Sequence, residues 1–401
     1  MRPLEGLKIL DFSQYHGAAY STMLLADMGA EVIKIERPDG GDKLRSAAPK
    51  KDGYSLYHAY INRGKKSLAV DLKTEEGLEI VKNLIKEADC VCENFAYGTM
   101  ERLGLGYEDI KKINPRIIYA SLTGYGRTGE KKTRACFDNN SQAFSGMLDM
   151  TGYHGAEPVV LGMQLGNLYG GLHLALGIIY AAIVAEKQGI GQKLEVSASD
   201  SLFSALEDGM VDVEFNGHAH VRNGNTSQAI APYDTYTTTD GYVSVGVSTP
   251  QQWEKFCHIL GMEELLDDPR YATNALRGEN YIEGGLKASI EKITSVKSKF
   301  EIEELLGTEK IPCGSVCTAG EAISSEQLKE REMVIRVDDK VAGSTAMPGF
   351  VQKFSKTPSC AASAPLLGED TYDILIAGGY TDEEILKMEE KNIIYTGRCE
   401  K

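Results

Sequence analysis

Three sets of residues in this sequence have types and spacings that could do chemistry. Gly124-Tyr125-Gly126-Arg127-Thr128-Gly129 spells G-x-G-x-x-G after an apolar run, with Asp149 twenty residues beyond the last glycine. That is the outline of a dinucleotide-phosphate loop. Such a loop needs its last glycine to open a helix whose free N–H groups receive the pyrophosphate, and Glu130-Lys131-Lys132-Thr133-Arg134 carries no apolar period. The spacing predicts a structural glycine turn instead of a nicotinamide or flavin site. The histidines, among them His16, His58, His154 and His173, fall at no metal-ligand spacing, and His218 and His220 alternate in a polar stretch. Neither G-x-S-x-G nor H-E-x-x-H occurs, so a hydrolytic triad and a catalytic metal both lack support. Cys90 and Cys92 form a C-x-C without zinc spacing. Eight cysteines in 401 residues are too sparse for a disulfide scaffold, which predicts reduced thiols in a cytoplasmic protein.

The elements that must position any site alternate. Leu7–Phe12 is a short apolar run, Ser21–Met28 has helical spacing ending at Gly29, and Glu31–Ile35 alternates as a strand. Lys66–Leu72, a helix over about 74–88, and Asp89–Glu93 form a second unit; a helix over Tyr107–Ile113 leads to the strand Ile117–Leu122. Strands alternating with helices predict an α/β fold, a doubly wound Rossmann-like parallel sheet. Beyond Asp200 the texture changes. Asp234–Thr237 and Tyr242–Val247 flank Asp240-Gly241 as a hairpin with a two-residue turn, and lysine-rich helical text fills 251–306. The expected domains are a large one over 1–200 and 345–401 and a smaller α+β one over 225–325, with linkers at 201–224 and 326–344.

Lys+Arg 43 against Asp+Glu 58 leaves a formal charge of −15. That balance argues against nucleic acid as a partner, because phosphate binding is carried by Lys and Arg. Met1-Arg2-Pro3-Leu4-Glu5 opens no apolar run of signal-peptide length. Pro158–Ala185 carries no Asp, Glu, Lys or Arg and is long enough to suggest a membrane span.

Several segments, taken in order, resemble one family. They are Asp11-Phe12-Ser13-Gln14; Leu25 to Pro38; Gly41-Asp42 with Arg45; Lys66-Ser67-Leu68 with Asp71-Leu72-Lys73; Glu93-Asn94-Phe95; Arg102-Leu103-Gly104; and Gly124-Tyr125-Gly126 with Thr128-Gly129. The hairpin Asp240-Gly241-Tyr242-Val243, followed by Trp253 and Phe256, also fits. The chain thus resembles the class III CoA-transferases (the CaiB/BaiF family, which includes formyl-CoA, carnitine and bile-acid CoA-transferases). The resemblance implies movement of coenzyme A from an acyl-CoA to a free carboxylic acid through an aspartyl anhydride and an aspartyl-CoA thioester. It implies acyl-CoA as substrate, no tightly bound cofactor, no metal, an interlocked homodimer and no membrane, with the uncharged run becoming a buried core helix.

Carried over residue by residue, the CoA-contacting positions of the family fall on Gln14, Tyr15, His16, Arg37, Val70, Lys73, Asn94, Phe95 and Arg102. Arg37, Lys73 and Arg102 are then charge partners for the phosphates. Asp138 and His16 join position 167 as catalytic candidates, and Phe137 lines the substrate pocket. Three departures stand out. Ala18-Ala19 replaces a frequent Gly-Pro, and an active-site lysine of formyl-CoA transferase falls on Ala135 beside Arg134. The nucleophilic aspartate falls on Asn167. A neutral amide is a very poor nucleophile toward a thioester, so the chain is expected not to transfer, either as an active-site variant or as a natural non-transferring relative. Asn167 is also expected to cap the helix it opens. An acyl-CoA-binding pseudoenzyme is the alternative. An α-methylacyl-CoA racemase is disfavoured, because the histidine and aspartate it needs fall on Phe137 and Asn167.

Overall fold

The structure, a computed structural model, describes residues 2–207, 209–218, 221–227 and 229–397. His220 and Cys399 lie outside the described residues. Seven strands form one sheet in the order Ile394–Tyr395, Lys66–Val70, Glu31–Glu36, Lys8–Asp11, Cys90–Glu93, Ile118–Thr123 and Lys193–Ser197. All neighbours are parallel except the edge strand Ile394–Tyr395, antiparallel to Lys66–Val70. Successive strand side chains point to opposite faces, and the residues divide accordingly. Leu10, Ile33, Leu68 and Val91 pack under Ile80 and Val81 of helix Glu75–Ile85 and Leu375 of helix Thr371–Ala377. Ile9, Val32, Cys90 and Ile118 pack under Leu25 of the first helix, Gly17–Asp27, and Leu174 and Ile178 of the long helix, Leu165–Gln188. Both faces are covered by helices, so a parallel sheet is possible.

The chain divides into two compact units: Met1–Leu148 with Val160–Val211 and Glu330–Lys401, and Asp149–Val159 with Asp212–Lys329. The boundaries differ from those expected. Residues 149–159 belong to the smaller unit because Arg222 Nη1 bonds Asp149 Oδ1 at 2.8 Å and Gly224 N–H donates to Gly152 O at 2.8 Å. The expected linker 326–344 holds the strand Val334–Asp339, which pairs with Gly343–Pro348 and is tied to the larger unit where Arg63 Nη1 donates to Pro348 O at 2.8 Å. In the smaller unit, Tyr233–Thr238, Gly241–Gly246 and Cys313–Ser315 form an antiparallel sheet. Its hairpin turn is Thr239-Asp240, one residue earlier than the sequence suggested. Gly241 already pairs with Thr238, and Asp240 Oδ1 is occupied by Lys299 N–H at 2.8 Å.

The uncharged run forms the long helix, the one helix among the described residues long and apolar enough to span a bilayer. It is not the buried core helix expected: Leu174 and Ile178 are buried, while Leu172, Leu176, Tyr180 and Ile183 are exposed. Leu172, Leu176 and Ile183 line a groove of about 1100 Å³ together with Phe350, Val351 and Phe354. Its glycines set how closely it approaches its neighbours. A Cβ on Gly171 would lie 2.6 Å from the backbone oxygen of Gly17, whereas one on Gly177 would meet only the Leu194 side chain at 2.7 Å. Gly171→Ala should therefore lower stability by about 1–3 kcal/mol in urea denaturation, more than Gly177→Ala, because a backbone atom cannot swing away. Equal losses for the two variants would contradict this packing.

Candidate active site

The chain order of the sheet reverses between Lys8–Asp11 and Cys90–Glu93, which are adjacent although two other strands of the same sheet intervene in sequence. In such sheets the crevice beyond the carboxyl ends of the two strands at the switch point receives ligands. The loops leaving these ends begin at Phe12 and Asn94, and they clasp one another. Gln14 N–H donates to Asn94 Oδ1 at 2.8 Å and Asn94 Nδ2 donates to Gln14 O at 2.7 Å. The sequence assigned both residues to CoA, and the structure brings them together.

A buried ionic lattice holds this loop from below. Lys34 Nζ pairs with Asp42 Oδ2 at 2.9 Å, both side chains being fully buried, and donates to Ser13 O at 2.8 Å. Asp42 Oδ1 accepts Tyr15 N–H at 3.2 Å and Leu44 N–H at 2.9 Å. Asp11 accepts Ser13 N–H at 2.9 Å through Oδ1 and pairs with Lys65 Nζ at 2.9 Å through Oδ2. Tyr15 sits at φ 59, a region unfavourable for a non-glycine residue and maintained only when the surroundings impose it. His16 follows, directly before the first helix, its ring 4.5 Å from that of Tyr57. Burial lowers its pKa against the opposing charges of Asp42 and Asp138. Its Nε2 is buried and has no hydrogen-bond partner among the described residues.

Asn167 is the third residue of the long helix, and Gln164 occupies the cap position. The expectation that Asn167 caps this helix is therefore corrected: the cap lies three residues earlier. A neighbouring helix, Asp138–Phe144, supplies the acceptor. Asp138 Oδ1 accepts Asn167 N–H at 2.9 Å, and Asp138 Oδ2 accepts Gln142 Nε2–H at 2.7 Å. A carboxylate is favourable there because a helix N-terminus carries unpaired N–H groups and partial positive charge. The Asn167 amide donates to Gln164 Oε1 at 3.2 Å. Asn167, Asp138, Asn94 and Phe137 line a pocket of about 100 Å³ with Thr123, Gly124 and Cys136.

The other assigned residues are less tightly placed. Arg37, Lys73 and Arg102 are exposed. Arg37 and Lys73 follow the carboxyl ends of Glu31–Glu36 and Lys66–Val70, the edge that faces the crevice. Arg102 Nη2 donates to Thr99 Oγ1 at 2.9 Å. Phe95 is half-buried against the main core, and Phe137 is 80% exposed. Val70 is a core residue at 1% exposure, so only its main chain can meet a ligand. The glycine run after Ile118–Thr123 opens no helix; a Cβ on Gly124 would lie 2.1 Å from the Cβ of Cys136. Sequence reasoning missed Lys34, Gln142, Cys136 and Tyr57. Only Lys34 left a signal, the one charge within Val32–Ile35.

The model of CoA-transferase family III matches residues 4–371. An acyl-CoA transferase of Fusarium pseudograminearum (strain CS3096) is 38% identical over 98% of this chain and 88% of its own length. A succinyl-CoA:glutarate CoA-transferase of Mus musculus is 35% identical over 97% of this chain and 88% of its own. The crystal structure of a CAIB/BAIF family protein from Brucella suis superimposes with a TM-score of 0.87 at 32% identity, covering 94% of this chain and 99% of that one.

The ionic lattice also dictates an acid response. Burial alone would raise the Asp11 pKa, but the charges of Lys65 and Lys34 and the bonds from Ser13 and Lys65 lower it to about 2. Glu36 is likewise raised by burial and brought down to about 2 by the Arg45 bonds and the charges of Arg45 and Lys34. Both values lie below those of the unfolded chain, roughly 4. Each group thus contributes stability that is present above about pH 4 and lost as pH falls through about 2. Burial raises the pKa of Asp27 and Glu93, which act in the opposite sense. In urea denaturation, Glu36→Gln should flatten the rise in stability between about pH 2 and 4.5; a rise as steep as the parent's would count against the lattice.

Proposed function

The chain belongs to CoA-transferase family III, and from that premise we propose that it is built to move coenzyme A from an acyl-CoA thioester to a small carboxylic acid, with position 167 at the reaction centre. In this reading a carboxylate at 167 attacks the thioester carbonyl, forming a mixed anhydride and releasing the CoA thiolate. The thiolate attacks the anhydride, leaving CoA on the enzyme as a thioester, and the acceptor acid reverses both steps. One hard exchange becomes several easier ones. Asn167 cannot begin the sequence, so the chain as it stands is silent in transfer while its CoA site is retained.

The observation carrying this reading is that Asn167 and Asp138 share one pocket with Asn94, whose amide clasps Gln14 across the switch point. The unpartnered His16 Nε2 gives a ligand a donor or acceptor beside it. Relatives whose names specify succinyl-CoA and glutarate make short dicarboxylates our choice of acids. We take the protein to be cytoplasmic, on its sparse cysteines, unpaired among the described residues. An interlocked homodimer is part of the proposal, supported by the exposed apolar row Leu172, Leu176, Tyr180 and Ile183, which a second copy would cover.

Asn167→Asp should exchange CoA between succinyl-CoA and glutarate, and hydroxylamine should trap the enzyme thioester in a mass spectrum, while the parent shows neither. If Asn167→Asp bound acyl-CoA yet stayed silent across a broad acid panel, the transferase reading would fall and the acyl-CoA-binding alternative would stand. Sedimentation should give twice the 43.8 kDa chain mass for the parent and a smaller species for Leu176→Glu; a monomeric parent would remove the dimer.

A further inference from the structure

We propose that the chain, with Asn167 in place, hydrolyses acyl-CoA thioesters, Asp138 acting as the base for a water molecule and the Asn167 amide donating to the thioester oxygen. The proposal rests on the reading that this pocket receives the thioester. Asp138 is the one carboxylate among the residues lining it. Among the described residues each of its oxygens accepts a single hydrogen bond, from Asn167 N–H and from Gln142 Nε2. A carboxylate oxygen has two lone-pair sites, so the group can still accept from water. The pocket of about 100 Å³ has room for about three waters at roughly 30 Å³ each. Asn167 Nδ2 carries two N–H groups, of which one reaches Gln164 Oε1; the other is a donor for a developing oxyanion. Replacing a nucleophile by an amide thus removes the group that would capture the acyl chain and leaves a base, a donor and a space for water.

The step balances without a further reagent. The water oxygen bonds to the thioester carbonyl carbon as its proton passes to Asp138. Collapse of the tetrahedral intermediate breaks the C–S bond, and the proton on Asp138 passes to the departing CoA thiolate. One water is consumed; one acid and one thiol are formed.

The test uses the purified chain with succinyl-CoA in ¹⁸O-labelled water and no acceptor acid. CoA thiol should appear at least about tenfold faster than in buffer, with one ¹⁸O in the released succinate, an enhancement within what a positioned base supplies. Asp138→Asn should fall to the buffer rate while still binding CoA in calorimetry, since its amide oxygen can keep the Asn167 N–H bond; Asp138→Glu should keep part of the activity. Thiol release undiminished in Asp138→Asn overturns the proposal. So does a parent that binds CoA but releases thiol no faster than buffer, and either result leaves the transfer reading standing. A parent that does not bind CoA overturns that reading, and this one with it.

Discussion

The site hangs on one buried ammonium. Lys34 stands on a central strand with no exposure to solvent, where a charge is costly unless it is paired and hydrogen-bonded. Burial works against its charge, but Asp42, Asp11 and Glu36 outweigh that and raise its pKa. In return it fixes Ser13 through its carbonyl and Asp42 through an ion pair, and Asp42 holds Tyr15 in a left-handed conformation. Removing one partner of such a network strands the others, a loss of about 3–5 kcal/mol for buried pairs. The same lattice therefore serves stability and the aim of Gln14, Tyr15 and His16.

The second constraint is the close approach of the long helix to the first. With Gly171 facing the Gly17 backbone, the helix N-terminus comes beside the loop that the lattice holds, and Asn167 arrives next to Gly17. Asp138 then takes the place at the helix start that a charged residue 167 would compete for. Two carboxylates so near would each raise the cost of ionising the other. The neutral amide at 167 brings no such repulsion.

Much of this was legible in the sequence. The strand and helix alternation gave the parallel sheet, because its strands are apolar on both faces, adjacent residues such as Ile9 and Leu10 entering opposite cores. The ordered segments gave Gln14 and Asn94, and the structure shows them bonded. What was hidden depended on distance in three dimensions. Gln164 lacks the chemistry of a usual helix cap, so the cap was misplaced by three residues. The half-exposure of the long helix leaves no trace in a run apolar on all sides. Cys136 and Gln142 carry no pattern of their own: Cys136 reaches the pocket where Gly124 lets two segments touch, and Gln142 meets the site through its bond to Asp138.

The central claim is that the carboxyl end of the sheet at its switch point binds CoA, with position 167 at the thioester end. Hydrogen–deuterium exchange of the parent chain with and without saturating CoA tests it most directly. Protection should appear in the peptides over residues 13–17, 94–102 and 165–170, with residues 233–246 unchanged. No protection in the first three, or protection confined to the antiparallel sheet of the smaller unit, would contradict it.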